Sequence, residues 1–467
     1  MVQTTSNRMQ EIFRKQQTYQ WTVRQTTAAT RKDKLLRLAK VISENMQNII
    51  AATIQDIQKP SYEVFNEVGQ VLGAIQHTIH HIEQWMQPEE VPAANPLAKA
   101  FIVYEPKGVV CIIGAWNFPF SLLFHPLIDA IAAGNCAIIK PSEYTPAIAA
   151  LANQILSSIF SEEEVAVVQG DAATVKELLE LPFNHIFFTG SSSTGKIIMK
   201  AAAKHLSSVT LELGGKTPVI IDRNVDLNRT ALRLAWGKMM NSGQTCIAPD
   251  YLYLHHEDIE TFTEAFASWV SASYRDENGY LLSDDRTQIV NRIHYDRIQS
   301  LFADAIAQGA TVLCGGEFDD INLLIEPTLL INVTPEMRIM QEEIFAPLLP
   351  IITYTDIQEP ITRLRNLEKP LALYIFSENE NFVEQAIANI PSGGVCVNDI
   401  MMHNTEPNLP FGGANHSGIG SYHGIHGFKE FSHTRAVLKA AANPYEEFMM
   451  PPYKGKLEMI FQNNEHQ

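Results

Sequence analysis

Basic residues are scarce in this chain: 35 Lys and Arg stand against 52 Asp and Glu, a net charge of −17 over 467 residues. No Lys/Arg-dense run offsets that balance locally, which argues against nucleic acid and anionic membrane surfaces as partners. Cysteine is sparse as well. Five cysteines, odd in number and irregularly spaced, exclude a disulfide framework and fit a reducing compartment. Long apolar runs are missing: none approaches the ~18 residues of a membrane span, and the first residues, Met1 to Phe13, have no stretch of signal-peptide length. A cytoplasmic protein is the expectation.

Two nucleotide fingerprints are absent or incomplete. The segment after the first expected strand reads Gly114-Ala-Trp-Asn-Phe-Pro119 and not GxGxxG. Gly190-Ser-Ser-Ser-Thr-Gly195-Lys196 has the GxxxxGK spacing of a P-loop, but Ile197 stands where a Mg²⁺-binding Ser or Thr is required. A nucleoside triphosphatase therefore survives on spacing alone. The glycines and hydroxyls that open the next helix still suit a phosphate, although Ser191 or Ser192 would serve equally as an N-cap.

Apolar residues make up 46% of the chain, enough for two or three domains at this length. Residues 9–87 carry apolar positions at helical spacing, broken near Lys59-Pro60. His77 and His81 stand four apart there, but without the acidic neighbour of an HExxH motif. A proline-rich stretch, 87–96, precedes an extended segment over Ala98–Tyr104. From Val109 short β-branched runs alternate with helical segments: strands at 109–114, 136–140, 165–170, 185–189 and 209–213, and helices at 118–133, 145–160, 172–181 and 195–206. Repeated β-α-β predicts a parallel doubly wound sheet whose ligand lies beyond the carboxyl ends of the strands. Gly214-Gly215 interrupts this pattern and a second α/β run begins at Val219. Cys111, Cys136, Cys314 and Cys396 read as core.

Cys246 differs from those four. It sits in Asn241-Ser-Gly-Gln-Thr-Cys246, a polar, turn-forming segment, where a thiolate is available as a nucleophile. Glu212 ends the strand 209–213, 34 residues before Cys246, so the two meet only if the fold brings them together.

Trp116-Asn117-Phe-Pro119, Lys140-Pro-Ser-Glu143, Phe188-Thr-Gly-Ser191 with Gly195-Lys196, Glu212-Leu-Gly-Gly-Lys216, Gly243-Gln-Thr-Cys246, Glu342-Glu343-Ile-Phe345 and Pro410-Phe-Gly-Gly413 occur in this order across nearly the whole chain. That series resembles the aldehyde dehydrogenase superfamily. Cys246-Ile-Ala-Pro-Asp-Tyr251 and Ser421-Tyr-His-Gly424 look like its class 3 branch. Ala346, in place of a usual glycine, and Thr194, in place of an apolar residue, depart from the pattern. The resemblance implies two doubly wound parallel-sheet α/β domains plus a small β oligomerisation element: 1–87 and 107–213 for cofactor, 214–409 for catalysis, 88–106 and 410–467 as bridging elements and tail. It implies Cys246 as nucleophile, Asn117 as oxyanion donor and Glu212 as the base that activates water. Trp116, Lys140, Glu143, Gly190, Ser191, Gly195, Gly214, Glu343 and Phe345 would meet NAD, with NADP also possible. It further implies a homodimer joined through 98–104 and the Arg435–Leu438 strand. A coenzyme A-acylating relative and a catalytically silent cofactor-binding scaffold are the alternatives. The substrate is expected to be an aliphatic or aromatic aldehyde, because no basic residue flanks the Cys246 turn to clamp a carboxylate. Tyr62, Trp236, Met240 and Phe411 stand between pocket wall and core.

Overall fold

Four helices at 3.6-residue apolar spacing open the chain: Ser6–Arg24, Ala28–Glu44, Met46–Ile57 and Ser61–Trp85. In the second, Leu35, Leu38, Ala39 and Ile42 form the buried stripe that this spacing predicts. The third stops at Gln58, which is left-handed (φ 50°), and Lys59-Pro60 redirects the backbone into the fourth. This computed structural model describes residues 3–278, 284–440, 449–458 and 461. The tail segment 441–448 and most of 459–467 lie outside the described residues.

The strands are β1 (Glu89–Val91), β2 (Lys99–Pro106), β3 (Val109–Ile113), β4 (Cys136–Lys140), β5 (Val165–Val167), β6 (His185–Gly190), β7 (Ser208–Leu213), β8 (Pro218–Ile221), β9 (Tyr251–His255), β10 (Thr311–Cys314), β11 (Phe318–Asp319), β12 (Leu324–Ile325), β13 (Thr328–Ile331), β14 (Leu348–Tyr354), β15 (Ala372–Phe376), β16 (Gly394–Val397), β17 (Gly418–Ile419) and β18 (Ser432–Lys439). Every residue of β3 and β4 is buried, as sheets covered on both faces require.

One sheet runs β17-β7-β6-β3-β4-β5 and a second β10-β13-β14-β9-β8-β15-β16. From β3 the chain steps outward to β4 and β5, then returns to place β6 on the other side of β3, so the strand order reverses between β3 and β6. A crevice at their carboxyl ends follows from that reversal. The second sheet reverses in the same way between β8 and β15. Both sheets are parallel except at one edge each, where β17 pairs with β7 and β10 with β13 antiparallel. The expected doubly wound parallel sheets are present, each with one antiparallel strand added at an edge. The edge strand β17 comes from the glycine-rich return near the end of the chain and needs no helical crossover, so nothing forces it parallel.

A third, antiparallel sheet, β1-β2-β18, joins the 89–106 segment to residues 432–439, from Ser432 opposite Pro106 to Lys439 opposite Lys99. Among the elements not foreseen are the helix Leu227–Met239 and β9, the strand that follows the Cys246 turn. Cys111 and Cys136 are buried, but Cys314 and Cys396 are only half-buried, on an edge strand in each case, which corrects their reading as core.

Candidate active site

The helix Leu227–Met239 delivers the chain to a tight turn in which Asn241, Ser242 and Gly243 all have positive φ (51°, 51° and 71°). A Cβ on Gly243 would fall 2.5 Å from the Ala346 carbonyl oxygen, so only glycine fits. The turn is held from several sides. Glu63 Oε2 accepts from Asn241 N at 2.9 Å, and Asn241 Nδ2 donates to the carbonyls of Asn117 (2.9 Å) and Gln244 (3.0 Å). Gln244 Nε2 donates to the Asn241 carbonyl at 3.0 Å and its Oε1 accepts from Val290 N at 3.0 Å. Because Asn241 and Gln244 are buried and held by these bonds, they fix the backbone leading to Cys246.

Asn117 is buried beside that turn and its Nδ2 donates to the Gln244 carbonyl at 3.0 Å. An amide nitrogen carries a second N–H, which stays available for an oxyanion. The Asn117 backbone is anchored by a lysine that no motif or spacing marks. Lys59 Nζ donates to the Asn117 carbonyl at 3.1 Å and to Glu67 Oε2 at 2.9 Å, and lies 3.7 Å from the Phe118 ring centroid. Glu67 Oε1 accepts from Phe120 N (3.0 Å) and Ser121 N (2.9 Å), which terminates the next helix, Ser121–Ala133, with a carboxylate at its positive end.

Cys246 is half-buried at one wall of a cavity of about 500 Å³. Burial pushes its thiol up to about 12, with the charges of Glu343 and Glu212 adding to the effect. The thiol is therefore protonated at neutral pH and needs a base. Glu212, whose strand pairs in register with Thr189 of β6 and Gly418 of β17, is 3% exposed and neither carboxyl oxygen has a hydrogen-bond partner. Burial, then the charge of Glu430, holds its carboxyl well above the usual range. Burial likewise raises Glu343 to about 8. The fold thus brings Cys246 into electrostatic contact with two carboxyls that are distant in sequence.

The other predicted cofactor positions lie along the carboxyl edge of the first sheet. Lys140 ends β4 opposite Ile113 of β3, and Gly190 ends β6 opposite Leu213 of β7. The Lys140 ammonium is buried, donates to the Pro141 carbonyl at 2.7 Å and pairs with Glu143 Oε2 at 3.3 Å; burial lowers its pKa. Ser191 caps the helix Ser192–Ala202 by accepting from Thr194 N at 3.3 Å. A Cβ on Gly195 would meet Leu213 Cδ2 at 2.7 Å, which accounts for the close helix–strand packing there. Trp116 meets Phe345 edge-on at 5.6 Å.

Between this edge and Glu343 lies a second cavity of about 510 Å³, bordered by Ser192, Gly214, Lys216, Glu343 and His416. A Cβ on Gly214 would fall 2.1 Å from Glu343 Oε2. A glycine-floored cleft with a helix N-terminus at one side and a buried carboxyl at the other fits a dinucleotide's phosphates and ribose hydroxyls. Lys196 is exposed, and Ser191 keeps its N-cap bond. Among the described residues no group of three or more His, Cys, Asp or Glu could hold a metal, and His81 Nδ1 is hydrogen-bonded to the His77 carbonyl.

The Cys246 cavity settles a question of packing. Tyr62, Trp236, Met240 and Phe411 all line it. Thr245 and Tyr422, from two of the quoted motifs, line it too, as do Glu63, Glu67 and His125, which no sequence signal had marked. Lys and Arg are absent from that lining.

Residues 1–437 match the family model described as the aldehyde dehydrogenase family. The chain is 45% identical over 444 residues to the protein AldX of Bacillus subtilis (strain 168), covering 95% of this chain and 100% of that protein. It is 41% identical over 411 residues to aldehyde dehydrogenase family 3 member A2 of Rattus norvegicus, covering 87% and 84%. Its fold superposes on the substrate-bound state of Staphylococcus aureus AldH with a TM-score of 0.91 at 37% identity, over 97% of this chain and 99% of that one. The chain belongs to the aldehyde dehydrogenase family, whose members oxidise aldehydes with NAD or NADP.

Proposed function

We propose that this chain oxidises uncharged aliphatic or aromatic aldehydes to carboxylic acids through a thioester on Cys246. One observation carries this reading: a cysteine at the wall of a largely apolar cavity lies within the electrostatic reach of a buried glutamate whose two oxygens have no hydrogen-bond partner. Cys246 Sγ passes its proton to the Glu212 carboxylate, which returns it to solvent, and the thiolate adds to the aldehyde carbon, forming a C–S bond and an oxyanion. The free N–H of Asn117 Nδ2 and the Cys246 backbone N–H stabilise that charge. Bound NAD or NADP supplies the acceptor for the hydride that leaves the tetrahedral carbon. Glu212 takes a proton from water, the hydroxide adds to the thioester, and the C–S bond breaks to release the acid and the thiol. Its raised pKa suits this step, since a buried carboxylate binds a proton more avidly than a solvated one.

Trp116, Lys140, Glu143, Gly190, Ser191, Gly195, Gly214, Glu343 and Phe345 would hold the cofactor. The Glu143 carboxylate favours free ribose hydroxyls over a 2′-phosphate, so NAD is the first choice. The segments 1–87 and 107–213 form the cofactor unit, 214–409 the catalytic unit, and 88–106 with 410–467 the bridging elements. The open edge of β18, with Leu438 65% exposed, supports a homodimer formed through that strand. No described helix is long and apolar enough to cross a membrane, and a cytoplasmic location remains the reading. Among the alternatives, the coenzyme A-acylating relative has no use for Glu212 as a water-activating base.

The test follows cofactor reduction by absorbance in the wild type, Cys246→Ser and Glu212→Gln. We expect no turnover in Cys246→Ser, and in Glu212→Gln a burst of about one reduced cofactor per site followed by slow release. Steady turnover in Glu212→Gln at the wild-type rate would remove Glu212 from the role of base. Cofactor binding without turnover of any aldehyde would favour the silent scaffold.

A further inference from the structure

Behind the Cys246 cavity lies a smaller one, of about 200 Å³, that the reaction above leaves unused. Gln70, His125, Asn404 and Thr405 border both, so the two spaces adjoin. Three residues of its lining each carry a buried polar atom without a hydrogen-bond partner: His125 Nε2, Asp129 Oδ2 and His423 Nε2. His125 is 9% exposed and Asp129 3%. Space is reserved for that carboxyl, since a Cβ on Gly427 would fall 1.9 Å from Asp129 Oδ2.

The chemistry of the lining is selective. Burial holds His125 down to about 4 and His423 well below its usual value, while it holds Asp129 well above the usual carboxylate range. Burial thus disfavours the charged form of all three, and no Lys, Arg or Glu borders the pocket. A carboxylate or an ammonium entering here would lose its hydration without gaining a counter-charge. An alkyl tail would leave the three polar atoms unpaired and dry. A neutral group that both donates and accepts satisfies them, and 200 Å³ holds roughly six water-sized groups at ~30 Å³ each.

We propose that this side pocket is the distal subsite of the aldehyde cavity and takes an uncharged hydrogen-bonding group, such as a hydroxyl, carried at the far end of the substrate chain. The inference rests on Cys246 being the reacting end.

The test uses linear aldehydes in matched pairs, each with and without a terminal hydroxyl, over a series of chain lengths at saturating NAD. At the length that spans the cavity, the hydroxyl is expected to raise kcat/KM by about tenfold or more, because a site built to pair with a hydroxyl penalises the analogue that lacks it. A ratio near one at every length overturns the proposal. Gly73 lines the pocket on the helix Ser61–Trp85 and a Cβ there meets nothing within 4 Å, so Gly73→Leu fills the space without a clash. That variant is expected to melt no lower than the wild type and to return the ratio to near one. His125→Phe, which removes the ring nitrogens, should do the same. A hydroxyl preference that persists in both overturns the assignment to this pocket. Turnover that survives Cys246→Ser would sink the catalytic reading instead, whereas Cys246-dependent turnover with no hydroxyl preference would sink only the subsite.

Discussion

Replacing Lys59 by methionine tests how the loop that carries Asn117, the proposed oxyanion donor, is held. The side chains of Lys59 and Glu67 are 0% and 2% exposed, so the ammonium and the carboxylate are both dry. Breaking a buried pair by deleting one partner costs about 3–5 kcal/mol, because the remaining charge is stranded. Here Glu67 retains two backbone donors, Phe120 N and Ser121 N, which places the expected loss near the lower figure, about 3 kcal/mol. Methionine fills much of the volume of the lysine stem, so a cavity contributes little. The second arm of the test is Lys59→Met/Glu67→Gln. Glutamine keeps an oxygen for the two backbone donors but carries no charge, so the double variant should recover about 2 kcal/mol of that loss. Urea unfolding of the three proteins measures both quantities. Catalysis supplies an independent readout: the Asn117 carbonyl keeps its bond from Asn241 Nδ2 but loses the one from Lys59, so the loop loosens without coming free. A kcat lowered about tenfold, with the KM for NAD unchanged, is expected, less than the roughly 10²–10³ that follows loss of an oxyanion donor outright. If Lys59→Met cost under about 1 kcal/mol, or the double variant were no more stable than the single one, the pair would not be the buried anchor described.

Asn117→Ala should lower kcat about 10²–10³-fold while the Cys246 thiol still reacts with an alkylating agent, and equal loss of both would mean the turn itself had collapsed. Stability should depend on pH through the raised carboxyls. Glu63 rises from 4.5 to about 7 and Glu343 from 4.5 to about 8, and Glu212 rises well above 4.5. Each binds a proton in the folded state that the unfolded chain has released, so the stability it contributes is complete below about pH 4.5 and is lost as pH climbs through 7 and 8. The urea midpoint of the cofactor-free protein should fall across that window and fall less in Glu212→Gln; identical slopes would refute the assignment. Turnover moves the opposite way, rising with pH as Cys246 and Glu212 give up their protons, and a plateau down to acidic pH would show that neither titrates as described. Glu143→Gln should shift preference toward NADP by about tenfold in kcat/KM, read as the ratio of the two cofactors, because it removes the like charge facing a 2′-phosphate.

The parts of this molecule that sequence made legible share a physical cause. β3, β4 and β6 lie in the interior of a sheet covered on both faces, so nearly every residue in them must be apolar, and an unbroken apolar run is easy to see. Glu212 stood out because a carboxylate at the end of such a strand, before two glycines, breaks the run. β9 was missed because its sequence, Tyr-Leu-Tyr-Leu-His, follows directly on a turn chosen for its chemistry, and β17 because two residues carry no period. Tyr62, Trp236, Met240 and Phe411 illustrate a different limit: a cavity wall and a core draw on the same apolar side chains, and only the arrangement of elements separates them. The deepest gap lies on the helix Ser61–Trp85. Its apolar stripe, Val64, Val68, Val71 and Ile75, accounts for the burial that helical spacing predicts, and Glu63 and Glu67, four residues apart on an adjoining face, add no signal of their own. In the fold that face is turned inward, where one carboxyl holds Asn241 and the other holds Lys59 and the start of the helix Ser121–Ala133. Periodicity reports how much of a helix is buried against apolar partners, but it is silent about a polar face buried against backbone donors. The groups that hold Cys246 and Asn117 belong to that second kind, so the residues proposed to react stood out in the sequence while the scaffold that holds them did not.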